Sequence, residues 1–305
     1  MRVVITRDEY KISKSYKISK SYKKHNYKLY PHQYRSINLN NLNNLNNKGI
    51  KSIKSKNIIA SSKNKKALLI GITYENTKFQ LNGCINDIML MKKILDKNGF
   101  TSTILSEKSD IKPTKENIIN YLEEFLSNTK DGDQLYIHYS GHGSNILDSN
   151  KDEKDGRDET IVTSDFKHIS DDEFYNIIKT KLNTKSSLFA VFDSCHSGSV
   201  LDLKYMYNPN TNKLENINEF KVDLLPFILL ISGCKDEQFS QEVTTSSGSN
   251  GLLTQILYSN LDQIKNLTWL QLYNNLKNIL NNIGAAQIPQ LSCSSVINLE
   301  EKIML

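Results

Sequence analysis

Two short motifs carry a thiol and an imidazole where catalytic side chains commonly lie. The stretch "FAVFDSCHSG" (189–198) runs from apolar residues into Asp193 and Cys195, and "YSGHG" (139–143) ends an apolar run with His142 between two glycines. Apolar runs bounded by such turn residues predict buried strands. A cysteine needs a nearby base to act as a nucleophile, so neighbouring strand ends that carry Cys195 and His142 would suit covalent catalysis.

A second histidine, His196, directly follows the cysteine. Adjacent residues of an extended chain point to opposite sides, so we expect His196 to pack away from the site of Cys195. His142 alone is equally well explained as a turn residue, and its pairing with Cys195 favours a functional role.

The segments that must position this pair alternate between strand and helix from Lys66 onward. The predicted strands are 66–72, 101–107, 133–141, a strand ending at Asp193, "FILLISGC" and a short strand near "PQLSCS"; the predicted helices are "CINDIMLMKKILDKNGF", "TKENIINYLEEFLSN", "DDEFYNIIKTKL", "SNGLLTQILYSNL" and "TWLQLYNNLKNILNNI". Such alternation predicts an α/β fold with a mainly parallel six-stranded sheet and helices on both faces. Catalytic sites of such folds collect at the carboxyl ends of the strands, where both motifs stand.

Charge divides the chain into a basic N-terminal extension and an acidic body. Residues 1–66 contain 17 Lys and Arg but only Asp8 and Glu9, a net charge of +15. Repeats such as "NLNNLNNLNN" and the lack of a sustained apolar period predict that residues 1–65 are disordered and that residues 66–305 form the folded domain. A solvated extension is the favoured interpretation, and the charge leaves binding to nucleic acid or an anionic surface open.

Composition excludes several other classes of protein. No segment approaches the roughly 18 apolar residues of a membrane span, and the polar N-terminus lacks a signal-peptide apolar region, which predicts a cytoplasmic protein. The four cysteines are widely separated, which argues against a disulfide framework or a zinc site. We expect a monomer without an organic cofactor.

The two site motifs resemble those of the caspase-type cysteine peptidases, and further motifs resemble the metacaspase branch. These are "LNGCINDI" after the first strand, "DETIVTSD" after the histidine loop, "SGSVLDLKYMY" after the cysteine and "ISGCKDEQFSQE" after the next strand. The resemblance covers residues 66–296 and implies a caspase-like three-layer sandwich. The polar insert of about 205–223 is short, as in type I metacaspases, and we expect it to be disordered.

The resemblance implies a cysteine endopeptidase that cuts after Arg or Lys. Cys195 would attack the scissile carbonyl, His142 would act as base and then acid, and the amides of Cys195 and Gly143 would stabilise the oxyanion. The matching substrate-binding positions are Cys84, Asp87, Ser140 and Asp193. Carboxylates suit a guanidinium or ammonium group. Without the resemblance, Asp87 would be an ordinary acid of a helix's first turn.

Acidic segments raise the question of a metal. An EF-hand loop that starts at Asp148 fails, because Glu153 stands where glycine is required. The resemblance implies instead a site for activating Ca²⁺, at Asp158, Asp171, Asp172 and Asp202. The alternative is a solvated acidic loop with Asp171 as a helix N-cap.

Two other functions stay open at this point. One is a peptidase of the same clan with a different pocket, such as a legumain-like enzyme that cuts after Asn; Asp87 and Asp193 argue against it. The other is a catalytically silent scaffold that works through the basic extension. We also expect self-cleavage at Lys residues of the extension, or at Lys213 or Lys221 of the insert, because disorder exposes a chain to proteolysis.

Overall fold

A computed structural model describes most of the region from Asn64 onward. The described residues are 3–5, 64–148, 151, 153, 156–218, 226–236, 238, 240–245, 248–261 and 266–303. Apart from 3–5 and 64–65, the predicted disordered extension lies outside them. Among the described residues, no helix is long and apolar enough to cross a membrane.

The described strands form one large sheet and two small ones. They are β1 (Val3–Ile5), β2 (Lys65–Gly71), β3 (Thr101–Ser106), β4 (Gln134–Ser140), β5 (Gly143–Leu147), β6 (Arg157–Val162), β7 (His168–Ser170), β8 (Ser187–Asp193), β9 (Tyr205–Asn208), β10 (Lys213–Asn216), β11 (Phe227–Ser232), β12 (Glu242–Thr245), β13 (Gly248–Gly251) and β14 (Gln290–Cys293). The large sheet has the order β10-β9-β14-β11-β8-β4-β2-β3, and its five strands from β11 to β3 are parallel.

Helices cover both faces of the large sheet. They are α1 (Cys84–Lys97), α2 (Lys115–Ser127), α3 (Asp171–Lys181), α4 (Leu252–Leu261) and α5 (Trp269–Asn282). Helices α1, α4 and α5 pack in one hydrophobic core, and α2 and α3 pack in the other. The predicted three-layer α/β sandwich is therefore confirmed.

The period of two along the central strands explains why both faces are buried. In β8, Phe189 and Val191 pack in the core of α1, α4 and α5, whereas Leu188, Ala190 and Phe192 pack in the opposite core. Successive strand residues point to opposite faces, so a continuous apolar run fills both cores at once. By the same alternation Asp193 follows Phe189 and Val191 toward α1 and α4, which decides where its carboxylate lies.

The polar insert contains regular structure that the sequence did not predict. Strands β9 and β10 form an antiparallel hairpin, and β9 pairs with β14, which extends the predicted six strands of the sheet to eight. The expectation of disorder is wrong for 205–216, because the hairpin's main chain is hydrogen-bonded at the sheet edge. Residues 219–225, which include Lys221, lie outside the described part.

Two small sheets lie beyond the ends of the parallel strands. One has the order β5-β6-β7 and directly follows β4; the other has the order β1-β12-β13 and follows β11. The predicted helix "SNGLLTQILYSNL" begins only at Leu252, because its first residues belong to β13. The hairpin of β12 and β13 therefore reaches the sheet edge where the reactive side chains lie.

Candidate active site

The pairing of β4 with β8 places His142 and Cys195 together. The two strands are parallel, and their last paired residues are Ser140 and Asp193, so positions two residues further on are level with each other. A Cβ atom on Gly143 would lie only 1.7 Å from the Cys195 carbonyl oxygen. Glycine at 143 is thus required for the two strand ends to approach so closely.

Hydrogen bonds fix the orientation of His142. Its Nε2 lies 2.7 Å from the carbonyl oxygen of Phe79, and because a carbonyl can only accept, Nε2 carries the proton. The His142 main chain donates to the Tyr74 hydroxyl and accepts from the Tyr139 hydroxyl. This arrangement leaves Nδ1 of the neutral ring as the basic nitrogen.

The surroundings of Cys195 favour the thiol form over the thiolate. Burial raises its pKa, the Ser240 N–H that donates to Sγ at 3.3 Å lowers it, and the charge of Asp193 raises it again. The net shift is upward, so the thiolate has to be generated by a base during the reaction. An imidazole on the adjoining strand end, such as that of His142, is suited to that task.

Strand register leaves the Gly143 amide available to an oxyanion. The Val162 N–H donates to His142 O at 2.9 Å, and the register pairs Gly143 with Ile161. In an antiparallel ladder the next pair along is not hydrogen-bonded, so the Gly143 N–H points away from β6. An amide left unbonded in this way is the kind of donor that a tetrahedral oxyanion needs.

His196 has a different setting from His142. Its backbone has a positive φ of 49°, its N–H donates to Gln238 O, and its ring Nδ1 contacts the Asp236 carbonyl oxygen. These contacts tie His196 to the loop after β11. The expectation that it packs away from Cys195 stays a prediction.

The four predicted pocket residues lie together. Ser140 Oγ donates to Asp87 Oδ2 at 2.7 Å, and burial raises the pKa of the Cys84 thiol. Cys84 and Asp87 occupy the first turn of α1 and are buried. Helix α1 lies on the sheet face toward which Ser140 and Asp193 point, so strand alternation and helix packing together assemble the cluster.

Two carboxylates face each other across one glycine. A Cβ atom on Gly251 would lie 2.2 Å from Asp193 Oδ2 and 2.9 Å from Asp87 Oδ2. Both side chains are buried, at 0% exposure for Asp87 and 5% for Asp193. Burial raises the pKa of both carboxyl groups, and the charge of Asp193 raises that of Asp87 further. A buried cation between them would favour ionisation of both.

Backbone and hydroxyl donors hold the pair. The Gly251 N–H and the Asn250 side chain donate to Asp87, and the Thr254 N–H and hydroxyl donate to Asp193 Oδ2 at 2.9 and 2.8 Å. Ser240 connects the pocket to the nucleophile, because its hydroxyl donates to Asp193 Oδ1 while its N–H donates to Cys195.

The start of α1 is tied to the pocket hairpin. No side chain of the helix's own N-cap, Gly83, caps it; instead Glu242 of β12 accepts from the N–H groups of Asn82 and Gly83 at 2.9 and 2.8 Å. A carboxylate there satisfies the orphan amides and favours the helix dipole. The hairpin and α1 therefore hold Cys84 and Asp87 in place jointly.

Three of the four predicted metal residues form a cluster. One carboxylate oxygen from each of Asp158, Asp171 and Asp172 lies within 4.8 Å of the others. Asp202 is not in this three-residue group, but its charge raises the pKa of Asp171. Burial is the largest cause of this shift and raises the pKa of Asp171 to about 9. Hard carboxylate oxygens brought together in this way are suited to Ca²⁺.

Asp202 is anchored by its own contacts. It is buried, has a positive φ of 52°, and accepts a hydrogen bond from Asn218 Nδ2 at 2.7 Å. The alternative role of Asp171 as N-cap of α3 is wrong, because Ser170 is the N-cap and forms a capping box with Glu173.

Several residues of the site escaped the sequence analysis. The carbonyl of Phe79 orients the His142 ring, and the charge of Glu159 raises the pKa of Asp171. Ser240 and Thr254 donate hydrogen bonds to Asp193. Asn250 and Gly251 donate hydrogen bonds to Asp87. Ser240 follows β11, the parallel strand next to β8, so its position at a strand's carboxyl end could have indicated a role in the site. The main-chain contacts could not be predicted from the sequence.

Comparison with known proteins shows the family to which the chain belongs. The family described as metacaspase, peptidase C14 domain, matches residues 65–204. Metacaspase-2 of Trypanosoma brucei brucei is 34% identical over 265 residues, which cover 79% of this chain and 76% of that protein. The chain belongs to the metacaspase family.

Other relatives and a solved structure extend the comparison. Metacaspase-1 of Schizosaccharomyces pombe is 32% identical, with 79% of this chain and 70% of that protein covered. A crystal structure of a protein from Geobacter sulfurreducens superposes with a TM-score of 0.59 at 25% identity and covers 78% of this chain and 97% of its own.

Membership of the family makes this metacaspase a cysteine-type endopeptidase that acts on protein substrates. The interpretation as a catalytically silent scaffold is therefore set aside. The chemistry of the Cys195 thiol, the His142 imidazole and the Gly143 amide is of the kind used in acyl transfer, in which an imidazole takes a thiol proton, the sulfur attacks a carbonyl carbon and the imidazolium protonates the leaving amine.

Proposed function

We propose that this metacaspase is a calcium-activated endopeptidase that cuts proteins after Arg or Lys and processes itself. The observation that carries the specificity is the pair Asp87 and Asp193, buried on either side of Gly251 next to the Cys195 strand end. A guanidinium or ammonium group entering there would pair with both carboxylates.

Charge also links the pocket to the nucleophile in this proposal. Ionised Asp193 raises the pKa of Cys195. A bound Arg or Lys side chain would offset that charge and so lower the pKa of the thiol. The correct substrate would thereby assist its own attack, whereas an acidic side chain would meet two buried carboxylates and their repulsion. A peptide panel with Arg, Lys, Asn or Asp before the cut tests this; a preference for Asn would favour the legumain-like alternative.

For the metal, the proposed ligands are Asp158, Asp171, Asp172 and Asp202. The clustered carboxylate oxygens of the first three support Ca²⁺, which accepts six to eight flexible oxygen ligands and relieves their mutual repulsion. Asp202 lies seven residues after Cys195, and Ser199 between them donates to Glu159 at 2.8 Å. An ion here would order the segment that follows the nucleophile.

Calcium should raise peptide hydrolysis, and Asp172→Ala should weaken the response. Loss of one carboxylate ligand is expected to increase the half-activating calcium concentration by about 10- to 100-fold. Magnesium should substitute poorly, since it demands near-octahedral geometry. Calcium titrations of wild type, Asp172→Ala and the exposed control Asp110→Ala measure this. Equal, chelator-insensitive rates for all three would refute the calcium site.

Self-cleavage should depend on Lys residues outside the ordered strands. Lys213 lies in β10, whose main chain is hydrogen-bonded to β9, and it should be a poor site because a protease must bind the main chain around the cut. Lys221 and most lysines of the extension lie outside the described residues and remain the other candidates. Lys221→Gln and Lys213→Gln, incubated under activating conditions and followed by mass spectrometry, distinguish these sites. Wild-type protein that stays full length while it cuts added peptide would exclude self-processing.

A cytoplasmic, monomeric enzyme without an organic cofactor remains part of the proposal. All four cysteines are free thiols, which suits a reducing compartment. Size-exclusion chromatography with light scattering tests the oligomeric state.

A further inference from the structure

Aromatic rings lie around the imidazole of His142. The Tyr74 and Phe79 ring centroids lie 4.6 and 6.3 Å from that of His142. Phe166 lies 5.8 Å from Tyr74 and 5.9 Å from Phe79. Tyr74 is buried, but Phe79 and Phe166 are 48% and 46% exposed. Two adjoining exposed phenylalanines beside a catalytic histidine are more than the scattered apolar side chains that any protein surface shows.

The turn that presents Phe166 is fixed. Phe166 has φ 55°, a conformation that bulky residues rarely adopt, at the tip of the turn between β6 and β7. Its N–H donates to Thr163 O at 2.9 Å, and the Thr163 N–H donates to Lys167 O at 2.9 Å. Since β6 pairs with β5 directly after His142, the register of these two strands sets where the turn lies relative to the imidazole.

Phe79 is held from the other side. Its N–H donates to the Thr77 hydroxyl at 3.1 Å, and its carbonyl accepts from His142 Nε2. The Lys78 ammonium lies 4.9 Å from the Phe79 ring centroid. The surface therefore combines two apolar rings with one cation at its edge.

The protonation of the leaving amine by His142 indicates which part of a substrate lies near these rings. The imidazolium protonates the leaving amine, so the residues that follow the scissile bond depart on the His142 side. The pocket of Asp87 and Asp193 lies instead toward α1 and α4, on the face to which the strand residues Ser140 and Asp193 point. The exposed rings thus adjoin the leaving side of the substrate.

We infer that Phe79 and Phe166 form a subsite for an apolar, preferably aromatic, side chain carried by the first or second substrate residue after the scissile bond. Such a side chain would cover ring surface that is otherwise exposed and gain aromatic contacts. The inference rests on cysteine peptidase activity with Cys195 and His142 as the reacting pair, and it holds whichever side chain the acidic pocket selects.

Quenched fluorescent peptides that differ only after the cut test the subsite. With Arg before the cut, kcat/KM for a peptide with Phe at either following position should exceed that of the Gly peptide by about tenfold. Phe166→Asn, which tolerates a positive φ but removes the ring, should bring this ratio close to one, whereas Phe166→Tyr should keep it. The exposed control Val296→Ala should leave the ratio as in wild type.

Capture of the acyl-enzyme isolates the leaving side. With an ester substrate, an added amine attacks the thioester carbonyl, the C–N bond forms as the C–S bond breaks, and the amine's proton returns through His142 to the sulfur. Phenylalanine amide should trap the acyl group about tenfold more efficiently than glycine amide, and Phe166→Asn should abolish the difference.

Two outcomes of the trapping experiment overturn the inference. Equal trapping of both amides by wild type means that the rings bind nothing, and preferred trapping of aspartic acid amide means that Lys78 determines selectivity. If the wild type cuts no peptide with Arg or Lys but cuts one with another residue before the cut, the specificity proposed above fails. The same leaving-side comparison is then made on the peptide that is cut.

Discussion

Cys195→Ala should abolish peptide hydrolysis, with kcat reduced by about four to six orders of magnitude, and His142→Ala should be nearly as severe. The physical reason is that neither group works alone. The Cys195 pKa is raised, so the thiol is a weak nucleophile without a base, and His142 has no covalent role of its own. Progress curves on a fluorogenic Arg peptide measure both losses.

Non-additivity is the sharper part of this prediction. The double variant of Cys195 and His142 should be no slower than Cys195→Ala, because groups that act as a unit lose their contribution together. His196→Ala is the matched control and should retain much of the activity, since its ring is bonded to the loop after β11. A Cys195→Ala enzyme with wild-type turnover would rule out this assignment.

Asp193→Asn should reduce kcat/KM for Arg peptides by about 10²- to 10³-fold, and Asp87→Asn should act in the same direction. Removing one partner of a buried ion pair costs about 3–5 kcal/mol, because a charge is left uncompensated. The pH dependence follows from the raised pKa of both carboxyl groups. A cationic side chain binds the ionised pair, so kcat/KM should fall as pH falls, on an acid limb above the ordinary Asp range of about 4.

Stability should respond in the opposite direction to activity. A carboxyl group whose folded pKa is raised contributes stability below its unfolded pKa, and this is lost as pH rises through the folded pKa. The Tm of wild type should therefore fall relative to that of Asp87→Asn as pH rises from about 4. Asp110→Asn, at an exposed position, should follow wild type. Parallel Tm curves for wild type and Asp87→Asn would show that the pair carries no raised pKa.

The local pattern of apolar and polar residues in the sequence determined much of the fold and indicated the candidate reactive residues. Apolar runs of strand length predicted β2, β4 and β8, and amphipathic spacing predicted the helices. Both predictions succeed because the pattern of apolar residues shows which faces of an element are buried. Their position at predicted strand ends then placed Cys195, His142 and Asp193 at one sheet edge, whereas Asp87 was assigned only through the family resemblance. The pairing of a thiol with an imidazole at neighbouring strand ends indicated the chemistry, which neither side chain indicated alone.

Only the tertiary structure decided how the site is held. The Phe79 carbonyl on His142, the Ser240 amide on Cys195 and the Gly251 amide on Asp87 are main-chain groups, which every residue possesses and which leave no mark on the sequence. The hairpin at 205–216 was likewise missed, because its strands are polar and gain order from pairing at the sheet edge rather than from an apolar period. Long-range pairing of this kind depends on where the rest of the chain already lies, so composition and local spacing do not determine it.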